Sequence, residues 1–210
     1  MTLKELFNKV LNVEHTQLTE ETASYFTERE GDTLRLLFEE SNGRTDWLNN
    51  LDFPAKPYRD MEDQWHAHRG FLRVWKVIEP HLADLIADPT VKRIEIAGYS
   101  HGGAVALLCF EYCKYHRPEI EVVGFGFGAP RVVWGPLPEK VKARLEDFVV
   151  IRNGADLVTH LPPLLFGYHH AGKICHVYRY GTEIAPIGDH YPDKYQECLA
   201  CLEVDESESE

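Results

Sequence analysis

Apolar residues along this chain follow two alternating rhythms. Short stretches that are nearly continuous in Val, Ile, Leu and Phe, or that alternate apolar with polar, occur at 23–29, 33–39, 91–97, 121–126, 148–153 and 173–180, and each predicts a strand. Between several of them the spacing turns helical and predicts helices over 4–13, 71–87, 102–116, 138–145 and 192–202, with Pro89 and Pro118 closing two of them. Strand and helix in alternation favour an α/β fold on a mostly parallel sheet with helices on both faces. Ile94, Ile96, Val122, Val123, Val149, Val150 and Ile151 form the unbroken apolar runs that burial on both faces requires. The first two strands are separated only by Glu30-Gly31-Asp32, too short for a helical crossover, so the sheet is expected to begin with an antiparallel hairpin.

Composition narrows this picture. A chain of 210 residues with 44% hydrophobic content buries one sizeable core, so residues 1–202 are expected to form one domain. The net charge is −12, yet Glu203, Asp205, Glu206, Glu208 and Glu210 fall in the last eight positions, and 203–210 reads as an acidic, disordered tail. The remaining excess of acid argues against nucleic acid as a partner, because polyanions reward clustered Lys and Arg. No apolar run approaches the roughly 18 residues of a membrane span. The first 15 residues read as an amphipathic helix, with Leu3, Leu6, Phe7, Val10 and Leu11 at helical spacing, and not as an export signal. Five cysteines without framework spacing fit a reducing compartment, so a cytoplasmic location is the default expectation, with release by another route left open. Cys198-x-x-Cys201 lies on a helix face, and His169, His170, Cys175 and His176 straddle a Gly172 turn and a strand; neither group is expected to hold a metal.

The chemistry is carried by Gly98-Tyr99-Ser100-His101-Gly102. As a bare G-x-S-x-G string it is a weak signal, but here it stands where an apolar strand gives way to a helix, the setting a nucleophile elbow needs. The turn is so sharp that the serine backbone is strained and its neighbours two residues away must be small, which Gly98 and Gly102 satisfy. Ser100 then stands at a helix N-terminus, where partial positive charge favours a developing anion.

A serine hydroxyl needs a histidine to take its proton, and the histidine needs a carboxylate to orient it. In parallel-sheet hydrolases these follow in the order serine, acid, histidine, after later strands. Asp156 follows strand 148–153 in the loop Asn153-Gly154-Ala155-Asp156, whereas Asp147 precedes that strand and belongs to the opposite edge. His190 precedes the last helix, with His160, His169, His170 and His176 as rivals.

With these residues in place the chain, from about Thr33 to Leu199, resembles the class 3 lipase family of α/β-hydrolases, the fungal triacylglycerol lipase type. The elbow matches, as do Phe127-Gly128-Ala129-Pro130-Arg131 with the family's FGxPR block and the segment from Asn153 to Pro163 with its N..D.V..LPP block. His68-Arg69-Gly70-Phe71 looks like its HxGF segment, in which the histidine is structural. The resemblance places the acid on Asp156 and, through a pattern similar to Asp189-His190-Tyr191 and its sequel, the base on His190. One oxyanion donor is expected to be the backbone N–H of His101. By resemblance the second is Ser41, although Glu39-Glu40 stands where the family carries Arg-Gly, and Glu40 sets a negative charge beside a site that must hold an anion. In the fungal lipases the next segment is a lid. Here 46–65 contains Trp47, Leu48, Leu51, Phe53, Tyr58, Met61 and Trp65, which suit either a cover over an acyl groove or a helix and loop packed into the core.

The expected activity is that of a serine carboxylic-ester hydrolase working through an acyl-enzyme on acylglycerols or related lipid esters, with no metal or organic cofactor and with transient contact to a lipid surface. Three other readings stay open: an esterase for small soluble esters such as feruloyl or short-chain acyl esters, a transferase that delivers the acyl group elsewhere, and a non-catalytic binding module on a hydrolase fold.

Overall fold

The computed structural model describes residues 1–18, 23–39, 54–58, 63–178 and 185–207. Its strands are β1 (Thr16–Leu18), β2 (Ala23–Glu30), β3 (Thr33–Phe38), β4 (Ala55–Tyr58), β5 (Trp65–His68), β6 (Arg93–Tyr99), β7 (Glu121–Phe127), β8 (Val133–Trp134), β9 (Phe148–Asn153), β10 (Tyr168–His169) and β11 (Lys173–Val177). The α-helices are α1 (Leu3–Asn12), α2 (Arg69–Ala87), α3 (His101–His116), α4 (Glu139–Leu145) and α5 (Pro192–Ser207). A seven-stranded sheet runs in the order β1-β2-β3-β6-β7-β9-β11. β1, β2 and β3 pair antiparallel, and every pairing from β3 onward is parallel.

Each face of this sheet carries its own core. On one, Phe148, Val150, Ile94 and Ile96 pack under α2, α3 and α4; on the other, Leu37, Ala97, Phe127 and Ile151 pack against α1 and α5. α3 is buried around most of its circumference, from His101 to Cys113, because it lies between the sheet and its neighbouring helices, which explains a sequence apolar on all sides. α1 starts at a capping box, in which the Thr2 hydroxyl accepts from Glu5 N–H while the Glu5 carboxylate accepts from Thr2 N–H. The charged residues inside the strands pair across them. Arg35 lies between Glu28 and Glu95 in register, 2.8 Å from the Glu95 carboxylate.

Three features depart from the sequence pattern. A second, four-stranded sheet of order β10-β8-β5-β4 is built from strands of two to four residues, too short to show a period. It takes in part of the segment expected to be a lid or a helix and loop: β4 and β5 pair antiparallel, Tyr58 and Trp65 are buried, and Trp75 Nε1 donates to the Tyr58 hydroxyl at 2.7 Å. Trp47, Leu48, Leu51, Phe53 and Met61 lie outside the described residues. Finally, α5 continues past Leu202 to Ser207, since no Gly or Pro interrupts it, so the segment expected to be a disordered tail from 203 begins as helix. Among the described residues, no helix is long and apolar enough to cross a membrane.

Phe7 ties α1 to the sheet. It is fully buried, with ring centroids 4.8 Å from Phe127, 5.5 Å from Tyr99 and 5.6 Å from Tyr195. Phe7→Ala is therefore expected to cost about 3–5 kcal/mol in urea denaturation, the range for emptying a packed aromatic site.

Candidate active site

Ser100 occupies the turn between β6 and α3 with φ 53° and ψ −121°, the one non-glycine residue at positive φ among the described residues. Such a backbone costs on the order of 1–3 kcal/mol and persists only where its surroundings enforce it. They do so here. Ser100 N–H donates to Phe127 O on β7 at 2.8 Å, and a Cβ on Gly102 would lie 2.2 Å from Phe38 O at the end of β3. The elbow is thus wedged between two strand ends.

The loop after β9 brings in Asp156, which is completely buried. Its Oδ1 accepts from Val158 N–H at 2.9 Å, and its Oδ2 accepts both from His190 Nδ1 at 2.9 Å and from the Tyr195 hydroxyl at 2.6 Å. With Nδ1–H donated to the carboxylate, His190 Nε2 is free to accept from Ser100 Oγ, which lies 2.9 Å away. Ser100, Asp156 and His190, separated by up to 90 positions, are thereby joined in one hydrogen-bonded chain.

The rival histidines lie elsewhere. His170 Nε2 bonds Thr159 O at 2.7 Å, His176 Nε2 bonds Gly154 O at 2.6 Å, and His160 is exposed on the short 3₁₀ turn Val158–His160. His169 sits in β10, and Asp147 pairs with Lys173 at 2.9 Å at the opposite end of β9. His101 opens α3, where first-turn N–H groups have no intrahelical acceptor. Ser41, Glu40 and Arg44 lie outside the described residues. Cys198 is buried, while Cys201 is exposed and directed at Glu197 O. Among the described residues, no group of three or more His, Cys, Asp or Glu is placed to hold a metal ion.

Several residues support this chain in roles that the sequence did not assign to them. The Tyr195 hydroxyl also accepts from Asn153 N–H at 3.1 Å, and burial followed by the neighbouring Asp156 pushes its ionisation far above the usual phenol range. Asp189 holds the turn before His190 onto the acid's loop, accepting from Ala155 N–H at 2.7 Å, while Asn153 Nδ2 donates to Asp189 O at 2.8 Å. Tyr99 stacks on the His190 ring, with centroids 5.2 Å apart and planes 20° apart, and donates its hydroxyl to His190 O. Gly128 backs the assembly: a Cβ there would lie 3.0 Å from the Tyr195 hydroxyl and 3.1 Å from Asp156 Oδ2 and His190 Cε1. Arg131 donates to His160 O at 2.6 Å and Pro162 O at 3.0 Å, fixing the segment that follows Asp156. The only advance signal for Tyr195 was its place one turn into the helix after His190.

A parallel sheet with helices on both faces, bearing serine, histidine and aspartate at the C-terminal ends of its strands, defines an α/β-hydrolase. Residues 36–166 match the lipase (class 3) family, and the chain belongs to that family. It is 29% identical to a lipase of Rhizomucor miehei over 181 residues, covering 82% of this chain and 46% of the relative. It is also 29% identical to the secreted mono- and diacylglycerol lipase 1 of Fusarium solani over 129 residues, 59% of this chain and 38% of the relative. The chain thus spans less than half the length of these curated relatives. Among solved structures, the native Rhizomucor miehei lipase propeptide complex superposes with a TM-score of 0.72 at 23% identity, covering 86% of this chain and 68% of the other. The lipase of Rhizopus microsporus var. chinensis gives 0.70 at 21% identity, covering 89% and 76%.

The secreted relative overturns the cytoplasmic expectation. That expectation leaned in part on unpaired cysteines, and the structure shows why they are a poor guide: Cys109, Cys113 and Cys198 are buried, where a thiol is shielded from oxidants in any compartment.

Burial also depresses the imidazoles of His68, His101 and His170 to about 4, with His68 adding to the effect on His101. In the unfolded chain they titrate near 6.5, so between about 6.5 and 4 the unfolded state binds more protons and stability falls as pH falls. The urea midpoint is expected to drop across that window. His68→Phe, which preserves the ring packed 4.3 Å from Phe71, should flatten part of the slope. Tyr195→Phe should lower stability by about 1–3 kcal/mol at neutral pH, since it leaves Asn153 N–H without its acceptor and Asp156 with one donor fewer.

Proposed function

We propose that this chain hydrolyses carboxylic esters of the acylglycerol type through an acyl-enzyme. The observation that carries the reading is the relay of two 2.9 Å hydrogen bonds from Ser100 through His190 to a buried Asp156. In this reading Ser100 Oγ attacks the ester carbonyl while His190 Nε2 takes its proton, and Asp156 stabilises the imidazolium that forms. His190 returns the proton to the departing alcohol, then activates water to release the carboxylic acid by the same route. The His101 N–H is proposed as one oxyanion donor and Ser41 as the other. The chemistry is complete without a metal or organic cofactor. Residues 1–202 are treated as one hydrolase domain, a view supported by the single sheet that gathers strands from Thr16 to Val177.

Lipid esters are favoured over small soluble esters by what surrounds the relay. Leu157, next to Asp156, is 44% exposed, and Ile187 and Tyr191, on either side of His190, are 65% and 52% exposed. Further out, Leu165 is 91% exposed on the turn Leu164–Phe166. An apolar rim of this kind suits a substrate presented at a lipid surface. The Fusarium solani relative is named a mono- and diacylglycerol lipase, which supports both the acylglycerol class and an extracellular setting.

A fluorophosphonate probe should label Ser100, and Ser100→Ala should abolish labelling and reduce ester hydrolysis by up to about 10⁶ in kcat. Hydrolysis that survives Ser100→Ala would refute the assignment. A well-folded protein that neither labels nor hydrolyses would instead support the binding-module reading. A rate that jumps when an acylglycerol passes from monomers to aggregates is expected; saturation below that point would favour a soluble esterase.

A further inference from the structure

Among the described residues, five arginines have found a carboxylate. Arg29 lies 3.7 Å from Asp88, Arg35 2.8 Å from Glu95, Arg93 3.1 Å from Glu95, Arg117 2.5 Å from Glu119 and Arg144 2.8 Å from Glu111. Arg152 has not. It is half-buried near the end of β9, and its Nε is sequestered from solvent with no acceptor. Its neighbours are cations or groups able to become cations. His176 stands opposite it in register on β11, so the two side chains share one face of the sheet. His160, exposed on the turn after Asp156, is destabilised as a cation first by burial and then by Arg152, Arg131 and His176. Arg131 and His170 complete the group, and Arg152 acts on both.

Among the described residues, the one carboxylate seen to act on this cluster is Asp156, which already accepts from His190, Tyr195 and Val158 N–H. Arg131 is spent on the carbonyls of His160 and Pro162, and His170 on Thr159 O. Unoccupied donor capacity is therefore concentrated on Arg152 and His160, with one further ring nitrogen on His176, whose Nε2 already bonds Gly154 O; the three come from two adjacent strands and the turn above them. A guanidinium is charged at any ordinary pH and presents a planar fork that fits two oxygens of one anion. Gathering like charges without a counter-charge is unfavourable unless an anion completes the arrangement.

We propose that Arg152, with His160 and His176, forms a binding site for a phosphate-type oxyanion beside the loop that carries Asp156. Arg152 accounts for two oxygens through the outer nitrogens of its guanidinium, and a ring nitrogen of each imidazole serves the remaining oxygen. The group bound is either inorganic phosphate or the phosphate of a lipid headgroup. The proposal is independent of the ester-hydrolase reading, since binding requires no turnover.

The test titrates inorganic phosphate into the full chain by calorimetry at constant ionic strength, and in parallel sediments the protein with phosphatidylcholine vesicles with and without phosphatidic acid. Arg152→Gln should weaken the interaction at least about tenfold, the loss of one charge-assisted contact. Arg152→Lys, which keeps the charge without the fork, should fall between. Arg152-dependent uptake of free phosphate identifies a soluble ligand. Arg152-dependent retention confined to the phosphatidic acid vesicles identifies a headgroup. Should neither probe bind, or should both bind equally to wild type and Arg152→Gln, the proposal is overturned. His160→Gln, at an exposed position, repeats the comparison if Arg152→Gln fails to fold, and there too unchanged binding overturns it.

Discussion

A carboxylate with no exposure to water must have each of its lone pairs answered by the protein, and Asp156 is such a group. Its donors come from the turn that follows it, from the segment before α5 and from α5 itself. Satisfying that one charge therefore ties the end of β9 to the C-terminal part of the chain, fixes the tautomer of His190 and directs Nε2 at Ser100. Asp189 and Asn153 add two further bonds between the same two loops, so the histidine's turn and the acid's loop behave as one unit.

The serine is held from the other side. The strained backbone at Ser100 is locked by strands β3 and β7, and the helix it opens is among the most deeply buried parts of the molecule. Support continues through the sheet: Tyr99 touches His190 on the side of the site and Phe7 of α1 on the other, so the amphipathic N-terminal helix packs directly beneath the elements that carry the chemistry. The Phe127-Gly128-Ala129-Pro130-Arg131 block makes physical sense in the same terms. Gly128 leaves room for three site residues, and Arg131 clamps the chain after Asp156 through backbone carbonyls.

The surroundings of the relay divide into two kinds of surface. Exposed apolar residues Leu157, Ile187 and Tyr191 lie near Asp156 and His190 in the chain, while Arg152 and His176 face each other on β9 and β11, with His160 on the turn after Asp156. In a chain with a net charge of −12, a local group of cationic and imidazole side chains sets its surroundings apart.

Strand and helix periods, the elbow string and the serine, acid, histidine order were legible in the sequence because each is a local pattern or a matter of chain order. The long apolar strands and the nucleophile turn leave little choice of conformation to their residues. The resemblance favours His190 over four rival histidines, and the fold supplies the physical ground for it, because hydrogen-bond reach across 90 positions is a property of folding. Tertiary structure alone decided that Tyr195 is a polar partner of Asp156, that Tyr58 and Trp65 belong to a short sheet in the core, and that Arg152 has no carboxylate partner among the described residues. A tyrosine, a tryptophan or an arginine in a sequence states what it is able to bond. What it does bond depends on which distant segment packs against it.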